Sequence, residues 1–170
     1  TMEEAIIQEL ESLFDLKIFL TMEDITSLLN CKTTVVYNWI KRPDPKNQVA
    51  YGGYLVTASA CADCHTKFED GAYVGEPLAG GREFAFPDGI LSTSNLTPHA
   101  TGLGNWTEEM FVQRFKMYGE NYTAEKLKPG DFQSIMPWVM YAGMKEEDLK
   151  AIFAYLQSLP PVDNQIEKFK

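Results

Sequence analysis

The sequence predicts an all-α protein built from a small N-terminal helical module and a larger helical domain. Apolar residues recur at helical spacing in both parts. Threonines followed by acidic residues mark helix starts at Thr21 and Thr107. Pro43 and Pro45 interrupt the helical pattern between the two parts. We therefore expect a helical module over residues 1–42, a linker over 43–49 and a second domain over 50–170.

The composition is that of a folded protein in water. Hydrophobic residues make up 45% of the 170 residues, and the net charge is −9. The uncharged apolar stretches are too short to span a bilayer, so we expect no membrane span. The start, Met2-Glu3-Glu4, is acidic where a secretory signal would be basic. An acidic chain is not typical of general nucleic-acid binders and favours a basic partner surface.

The strongest motif is Cys61-Ala62-Asp63-Cys64-His65, the attachment pattern for c-type haem. Two thiols within one helical turn can reach the two vinyl groups on one porphyrin edge, and the histidine then faces the iron. Apolar residues from Tyr51 to Cys61 repeat at helical spacing, so we expect the motif to end a helix.

Two other chemistries use similar cysteine spacing. A zinc site would need a fourth ligand, for which Cys31 and His99 are the available soft donors. A thioredoxin-like redox pair would require an α/β pattern, which the sequence lacks.

A haem iron that carries electrons needs a sixth ligand, often a methionine. Met136 lies on a predicted loop and is followed by Pro137, which stiffens the backbone. We favour Met136, with Met140 and Met144 as competitors. His99, in a polar turn-rich stretch, is the less favoured bis-histidine alternative.

Two further helices are predicted after the motif. One begins after Thr107, buries Phe111 and Phe115, and stops at Gly119. The other begins near Lys145 and ends before a Pro-Pro pair, with one apolar face formed by Leu149, Ile152, Phe153 and Leu156. A haem would supply much of the core that so small a domain lacks.

Residues 50–162 resemble class I monohaem cytochrome c domains, as found in cytochrome subunits of bacterial membrane-associated alcohol and sugar-acid dehydrogenases. Those subunits usually carry three haem domains, whereas this sequence has one motif. The resemblance rests on separated blocks in the right order: Gly52-Gly53-Tyr54-Leu55-Val56, Pro77-Leu78-Ala79-Gly80-Gly81-Arg82, Ser92-Thr93-Ser94-Asn95-Leu96-Thr97-Pro98, Gly102-Leu103-Gly104-Asn105-Trp106, Met136-Pro137 and Tyr155-Leu156.

The resemblance implies a class I cytochrome c fold in which Gly52 and Tyr54 pack against Tyr155. It implies His65 and Met136 as axial ligands, and the carbonyl of Pro77 as acceptor of the proximal imidazole N–H. It also implies that two further residues line the haem, Trp106 and Arg114, although a buried aromatic and a solvated cation are equally good interpretations of this pair.

The N-terminal module carries a second resemblance. Residues 20–42 are similar to the helix-turn-helix of excisionase-like and MerR-like DNA-binding domains, whose second helix enters the major groove. Residues 1–42 carry more acidic than basic side chains, and no wing-like strand pair follows. DNA is therefore the less favoured partner, and its candidate contacts are Lys32, Thr34, Tyr37, Asn38, Lys41 and Arg42.

Together these observations predict an electron carrier with one covalent haem c and its iron, not an enzyme. The expected partner is a redox protein on the dehydrogenase or terminal oxidase side. The expected location is periplasmic or otherwise extracytoplasmic, at a membrane complex, because haem c is normally attached outside the cytoplasm. The alternative is a haem-linked redox or gas sensor that binds DNA through residues 20–42.

Overall fold

The computed structural model describes residues 43–87, 89–123, 128 and 134–170. The helical module predicted for residues 1–42, with Cys31 and the candidate DNA contacts, lies outside this range. In the described part, no helix has the length and apolar character needed to cross a membrane.

Three helices of the described part lie where the sequence patterns predict them, whereas the short helix at the cysteine motif and the one that follows Met136 were not predicted. The side chain of Asn47 accepts a hydrogen bond from the backbone N–H of Ala50, so the first helix begins inside the predicted linker. The helices are α1 (Gln48–Ala58), α2 (Cys61–Cys64), α3 (Glu108–Lys116), α4 (Trp138–Ala142) and α5 (Glu146–Gln157).

Helix α1 packs closely on α5, although the two are far apart in sequence. A Cβ added at Gly52 would lie 1.8 Å from the backbone oxygen of Ala151, so only glycine allows this approach. The expected contact of Gly52 with Tyr155 is confirmed, and Gly53 also faces the Tyr155 ring. Tyr54 stacks on Tyr51 at 6.2 Å between ring centroids.

An apolar core cluster joins α1, α3 and α5. Thr107 begins α3 by accepting a hydrogen bond from the N–H of Met110, and the first turn is acidic, as the sequence predicts. Leu149 is fully buried on α5. The core cluster consists of Val56, Leu78, Leu103, Phe111, Ile152, Phe153 and Leu156.

The prediction of an all-α chain is only partly right, because two short antiparallel hairpins follow the cysteine motif. The strands are β1 (Phe68–Glu69), β2 (Ala72–Tyr73), β3 (Glu83–Phe86) and β4 (Gly89–Ser92). Asp70 and Gly71 join the first pair, both with positive φ, which is the geometry of a tight hairpin turn. Side chains in the second pair alternate between the two faces of the hairpin, as in any strand. This period of two differs from the helical spacing on which the all-α prediction rests.

Candidate functional site

The cysteine motif forms its own short helix instead of ending α1. Ala60 adopts a left-handed conformation, with φ of 54°, and separates α1 from α2. The hydroxyl of Tyr141 donates a hydrogen bond to the carbonyl of Ser59, with 2.8 Å between the oxygens, and so fixes the break from the side of α4. The break turns Cys61 toward the core cluster and leaves Cys64 exposed.

His65 follows α2 directly, and its imidazole is held at one nitrogen. Its backbone N–H donates to the carbonyl of Cys61, which closes the turn. Its Nδ1 lies 2.8 Å from the carbonyl oxygen of Ser94. Burial lowers the pKa of His65, which favours the neutral ring. With the Nδ1 proton donated to Ser94, Nε2 is the nitrogen with a lone pair for a metal.

The prediction that the carbonyl of Pro77 accepts this proton is therefore wrong, because the carbonyl of Ser94 accepts it. Pro77 lies in an exposed turn. The chain then returns beside His65, whose carbonyl accepts a hydrogen bond from the N–H of Gly80 at 2.7 Å. A Cβ at Gly80 would lie only 2.5 Å from the carbonyl carbon of Ser94. The close approach at Gly80 thus brings the Ser94 carbonyl, not that of Pro77, to the imidazole.

The segment that carries Ser94 is fixed by a buried polar network. Asn95 is 2% exposed, and its side-chain oxygen accepts hydrogen bonds from the backbone and hydroxyl of Thr97. Its amide group donates to the carbonyl of Val162 at 2.9 Å. Because these bonds are buried and satisfied, the Ser94 carbonyl has little freedom to move away from His65.

Arg82 is a site residue that the sequence analysis did not single out. Its guanidinium donates a hydrogen bond to the backbone carbonyl of Asp63, between the two cysteines. The same guanidinium lies 4.8 Å from the ring centroid of Phe68 and 5.2 Å from that of Phe84. Arg82 therefore links α2 to both hairpins, and its position after a Gly-Gly pair was the available signal.

The surroundings of Cys61 do not favour a redox pair of the thioredoxin type. Burial raises the pKa of the Cys61 thiol to about 11. A thiol that attacks disulfides needs a lowered pKa, so that it is a thiolate at neutral pH. The raised pKa of the half-buried Cys61 thiol is the opposite of that requirement.

A zinc site also finds no support in the residues that the structure describes. No cluster of three or more His, Cys, Asp or Glu side chains among them could hold a metal ion. His99 is engaged elsewhere, because its Nδ1 lies 2.9 Å from the hydroxyl of Thr101. These contacts hold the 99–104 turn and agree with the interpretation of His99 as a loop residue.

The three candidate methionines lie in different surroundings. Met140 is 79% exposed, and Met144 packs against the core cluster. Met136 is half-buried in a turn, with its N–H directed at the hydroxyl of Ser134 at 3.3 Å. Its carbonyl accepts from the backbone N–H of Trp138 at 2.8 Å.

The two residues proposed to line the haem, Trp106 and Arg114, make different contacts. Trp106 is half-buried and packs against the core cluster. Arg114 extends along α3, and its guanidinium lies 4.6 Å from the ring centroid of Trp138, two residues after Met136. Arg114 is thus neither a free cation nor part of the core, but a neighbour of the Met136 turn.

The donor set fits a covalently bound haem. Two free thiols stand within one helical turn, and a neutral imidazole with its Nδ1 already bonded follows them. Cys61 and Ala62 pack against the core cluster, so an apolar surface lies beside the attachment turn. Thiols that can bond the two vinyl groups, an imidazole for the iron and an apolar wall for the ring are what a haem c requires.

Comparison with known proteins agrees with this chemistry. The family model described as cytochrome c matches residues 49–160. The chain belongs to the cytochrome c family. A cytochrome c carries covalently bound haem c with its iron and transfers electrons, so haem c as the type of cofactor and electron transfer as the function are confirmed, while the number of one haem stays a prediction.

Several relatives of this cytochrome c are named as cytochrome subunits, which agrees with an electron-transfer role and not a catalytic one. The fructose dehydrogenase cytochrome subunit of Gluconobacter japonicus is 35% identical over 117 residues, which are 68% of this chain and 22% of that protein. The gluconate 2-dehydrogenase cytochrome c subunit of Pantoea cypripedii is 34% identical over 116 residues, 67% of this chain and 24% of that protein. The cytochrome c subunit of alcohol dehydrogenase (quinone) from Gluconobacter oxydans is 31% identical over 113 residues, 65% and 21% of the two chains. This chain thus spans about a quarter or less of their length.

Proposed function

We propose that this cytochrome binds one haem through thioether bonds to Cys61 and Cys64, with His65 and Met136 as axial ligands. The haem, when bound, supplies the one-electron ferric/ferrous couple. The observation that carries the proposal is the contact between His65 Nδ1 and the Ser94 carbonyl. This bond selects the tautomer, fixes the plane of the ring and makes Nε2 a better donor.

The choice of Met136 is supported by its surroundings. Its backbone is hydrogen-bonded on both sides, so its side chain leaves the chain from a defined position. Met140 is mostly exposed, and Met144 already has apolar partners. A thioether ligand favours the ferrous state and raises the potential. A filled sixth position suits electron transfer and disfavours oxygen binding and peroxidase chemistry.

The redox partner on the donor side is a dehydrogenase, and electrons leave toward the terminal oxidase side. The names of the relatives support a dehydrogenase on the donor side, because they are cytochrome subunits of dehydrogenases. The location is extracytoplasmic, at a membrane complex, since haem c is attached outside the cytoplasm. The acidic surface, with a net charge of −9 for the chain, suits a basic partner.

Covalent attachment is tested on the purified holoprotein by denaturing electrophoresis and a haem peroxidase stain. A stained band at the size of this chain is expected, and it should be lost in Cys61→Ala/Cys64→Ala. The reduced protein should show one haem per chain and should bind carbon monoxide only weakly, because the Met136 thioether competes for the sixth position. Haem that extracts into acidified ketone would overturn the attachment.

The sixth ligand is tested by near-infrared absorption of the ferric protein. The weak sulfur-to-iron band should be present, should vanish in Met136→Ala and should persist in the matched Met140→Ala and Met144→Ala variants. Loss of the band in one of those two variants alone would move the ligand there.

A further inference from the structure

The turn that carries Met136 is closed by a tryptophan and a serine. The indole Nε1–H of Trp138 donates to the hydroxyl oxygen of Ser134 at 3.1 Å. The N–H of Met136 is directed at the same oxygen at 3.3 Å, and the N–H of Trp138 donates to the Met136 carbonyl. Pro137 lies between them with φ of −78°. Both backbone polar groups of Met136 therefore depend on Ser134 and Trp138.

The indole of Trp138 packs against side chains of α3 and of the residues just after α3. It stacks on the ring of Tyr118, with centroids 5.1 Å apart and planes 13° from parallel. Phe115 contacts it edge-on at 5.4 Å, and the guanidinium of Arg114 lies 4.6 Å from its centroid. These are the favoured geometries of aromatic and cation–π pairs.

The contacts continue from the indole into the interior. Phe115 packs on Phe111 at 5.0 Å, and Phe111 packs on Phe153 of α5 at 5.2 Å. Both Phe111 and Phe153 belong to the buried core cluster. A rigid series of rings therefore runs from the core to the turn. In contrast, the next residue of α4, Val139, is 63% exposed.

We propose that Trp138 is a positioning residue for the sixth ligand, which ties the backbone of Met136 to α3 and so keeps the thioether on the iron. The inference rests on the proposed ligation by Met136. A methionine–iron bond is weak enough to open when its loop moves, and carbon monoxide then binds the ferrous iron. Loosening the turn should therefore show itself at the iron.

The test compares variants of the haem-loaded protein. Trp138→Leu removes the ring stack and the indole N–H together, Trp138→Phe keeps a ring without the N–H, and Ser134→Ala removes only the shared acceptor. Val139→Ala is the matched control on the same helix. Each variant is titrated with carbon monoxide in the ferrous state and scanned in the near infrared in the ferric state.

In Trp138→Leu we expect an apparent affinity for carbon monoxide at least about tenfold above wild type, equivalent to about 1.4 kcal/mol. The near-infrared band should weaken and the midpoint potential should fall. In Trp138→Phe and Ser134→Ala, the carbon monoxide affinity, the band and the potential should change in the same direction but by less. In Val139→Ala all three should match wild type. If Trp138→Leu does not accumulate, Ser134→Ala alone decides, because it deletes one exposed hydroxyl oxygen.

Wild-type carbon monoxide affinity and an unchanged band in both Trp138→Leu and Ser134→Ala would overturn the proposal. Failure of the underlying ligation gives a different result. In that case the wild-type protein itself would lack the band, or Met136→Ala would leave the band in place.

Discussion

The imidazole of His65 depends on a carbonyl oxygen that its neighbours hold in place. Gly80 is central to this arrangement, because its backbone passes between His65 and Ser94. Its φ is +77°, and an added Cβ would meet the backbone of residues 93–95 at 2.5 to 2.6 Å. A side chain here would push the Ser94 carbonyl away from the ring.

We predict that Gly80→Ala lowers the free energy of unfolding by more than the ~1–2 kcal/mol that left-handed strain costs. It should also change the midpoint potential, because the proximal hydrogen bond tunes the iron. Gly71→Ala is the control: its φ is +81°, but its Cβ would meet nothing within 4 Å. Denaturant unfolding and potentiometry on both variants check this. If both variants lost the same free energy of unfolding and had the same midpoint potential, the close contact of Gly80 with residues 93–95 would not hold the Ser94 carbonyl in place.

At this scale the sequence predicted the chemistry better than the geometry. The spacing of Cys61, Cys64 and His65 predicted a haem c domain, which the family match confirms, and the assignment of His65 as proximal ligand stays a prediction. The acceptor on Ser94 was missed because a backbone carbonyl has no sequence signature of its own, whichever residue carries it. Arg82 and Tyr141 also act on backbone carbonyls, and only the folded chain shows which ones.

At the scale of elements, the contact between α1 and α5 depends on two adjacent glycines that differ in what they face. Gly52 faces the backbone of Ala151, and Gly53 faces the edge of the Tyr155 ring. We expect Gly52→Ala to cost more than about 3 kcal/mol, since a helix backbone cannot yield locally. Gly53→Ala should cost less than about 1 kcal/mol, because the ring can rotate and alanine favours a helix. If denaturant unfolding showed similar losses of unfolding free energy for the two variants, the backbone of Ala151 would adjust as easily as the ring of Tyr155.

A lysine of α3 donates hydrogen bonds to backbone carbonyls at the C-terminal end of α4. The ammonium of Lys116 donates to the carbonyls of Ala142, at 3.1 Å, and Met144. Lys116→Met should lower the free energy of unfolding by about 1.5–3 kcal/mol, the range for bonds to charged groups. Lys150→Met is the matched control, because Lys150 makes an exposed 3.9 Å pair with Glu108, worth about 0–1 kcal/mol. Equal effects in thermal unfolding would contradict the cap.

Helix starts were well predicted because caps and acidic first turns are local signals, as at Thr107. The break at Ala60 was not, because alanine rarely adopts a left-handed conformation and a distant residue, Tyr141, binds the adjacent carbonyl. The first hairpin did have a signal, Asp70-Gly71, whose strands were too short to register as a repeat.

At the scale of the whole molecule, the family match begins at residue 49 and the cap of α1 at Asn47. A shortened chain that begins at Lys46, exported with a leader, should therefore take up haem and keep its spectrum. Its midpoint potential should stay within about 60 mV of the full chain, roughly 1.4 kcal/mol for one electron. A chain that begins at Thr57, which lacks most of α1, should not accumulate as holoprotein. A larger shift in the first chain would make residues 1–45 part of the haem domain.

The pairing of α1 with α5 also sets the order in which the protein can mature. Tyr51 of α1 bonds the carboxylate of Asp148, 97 residues later, at 2.9 Å. At synthesis rates of about 5–20 residues per second, α1 waits about 5–20 s for its partner. During that interval the cysteines that follow α1 belong to an open chain, since α1 cannot pair with α5 before α5 has been made. Both cysteines therefore lie in open chain until the residues of α5 have been made.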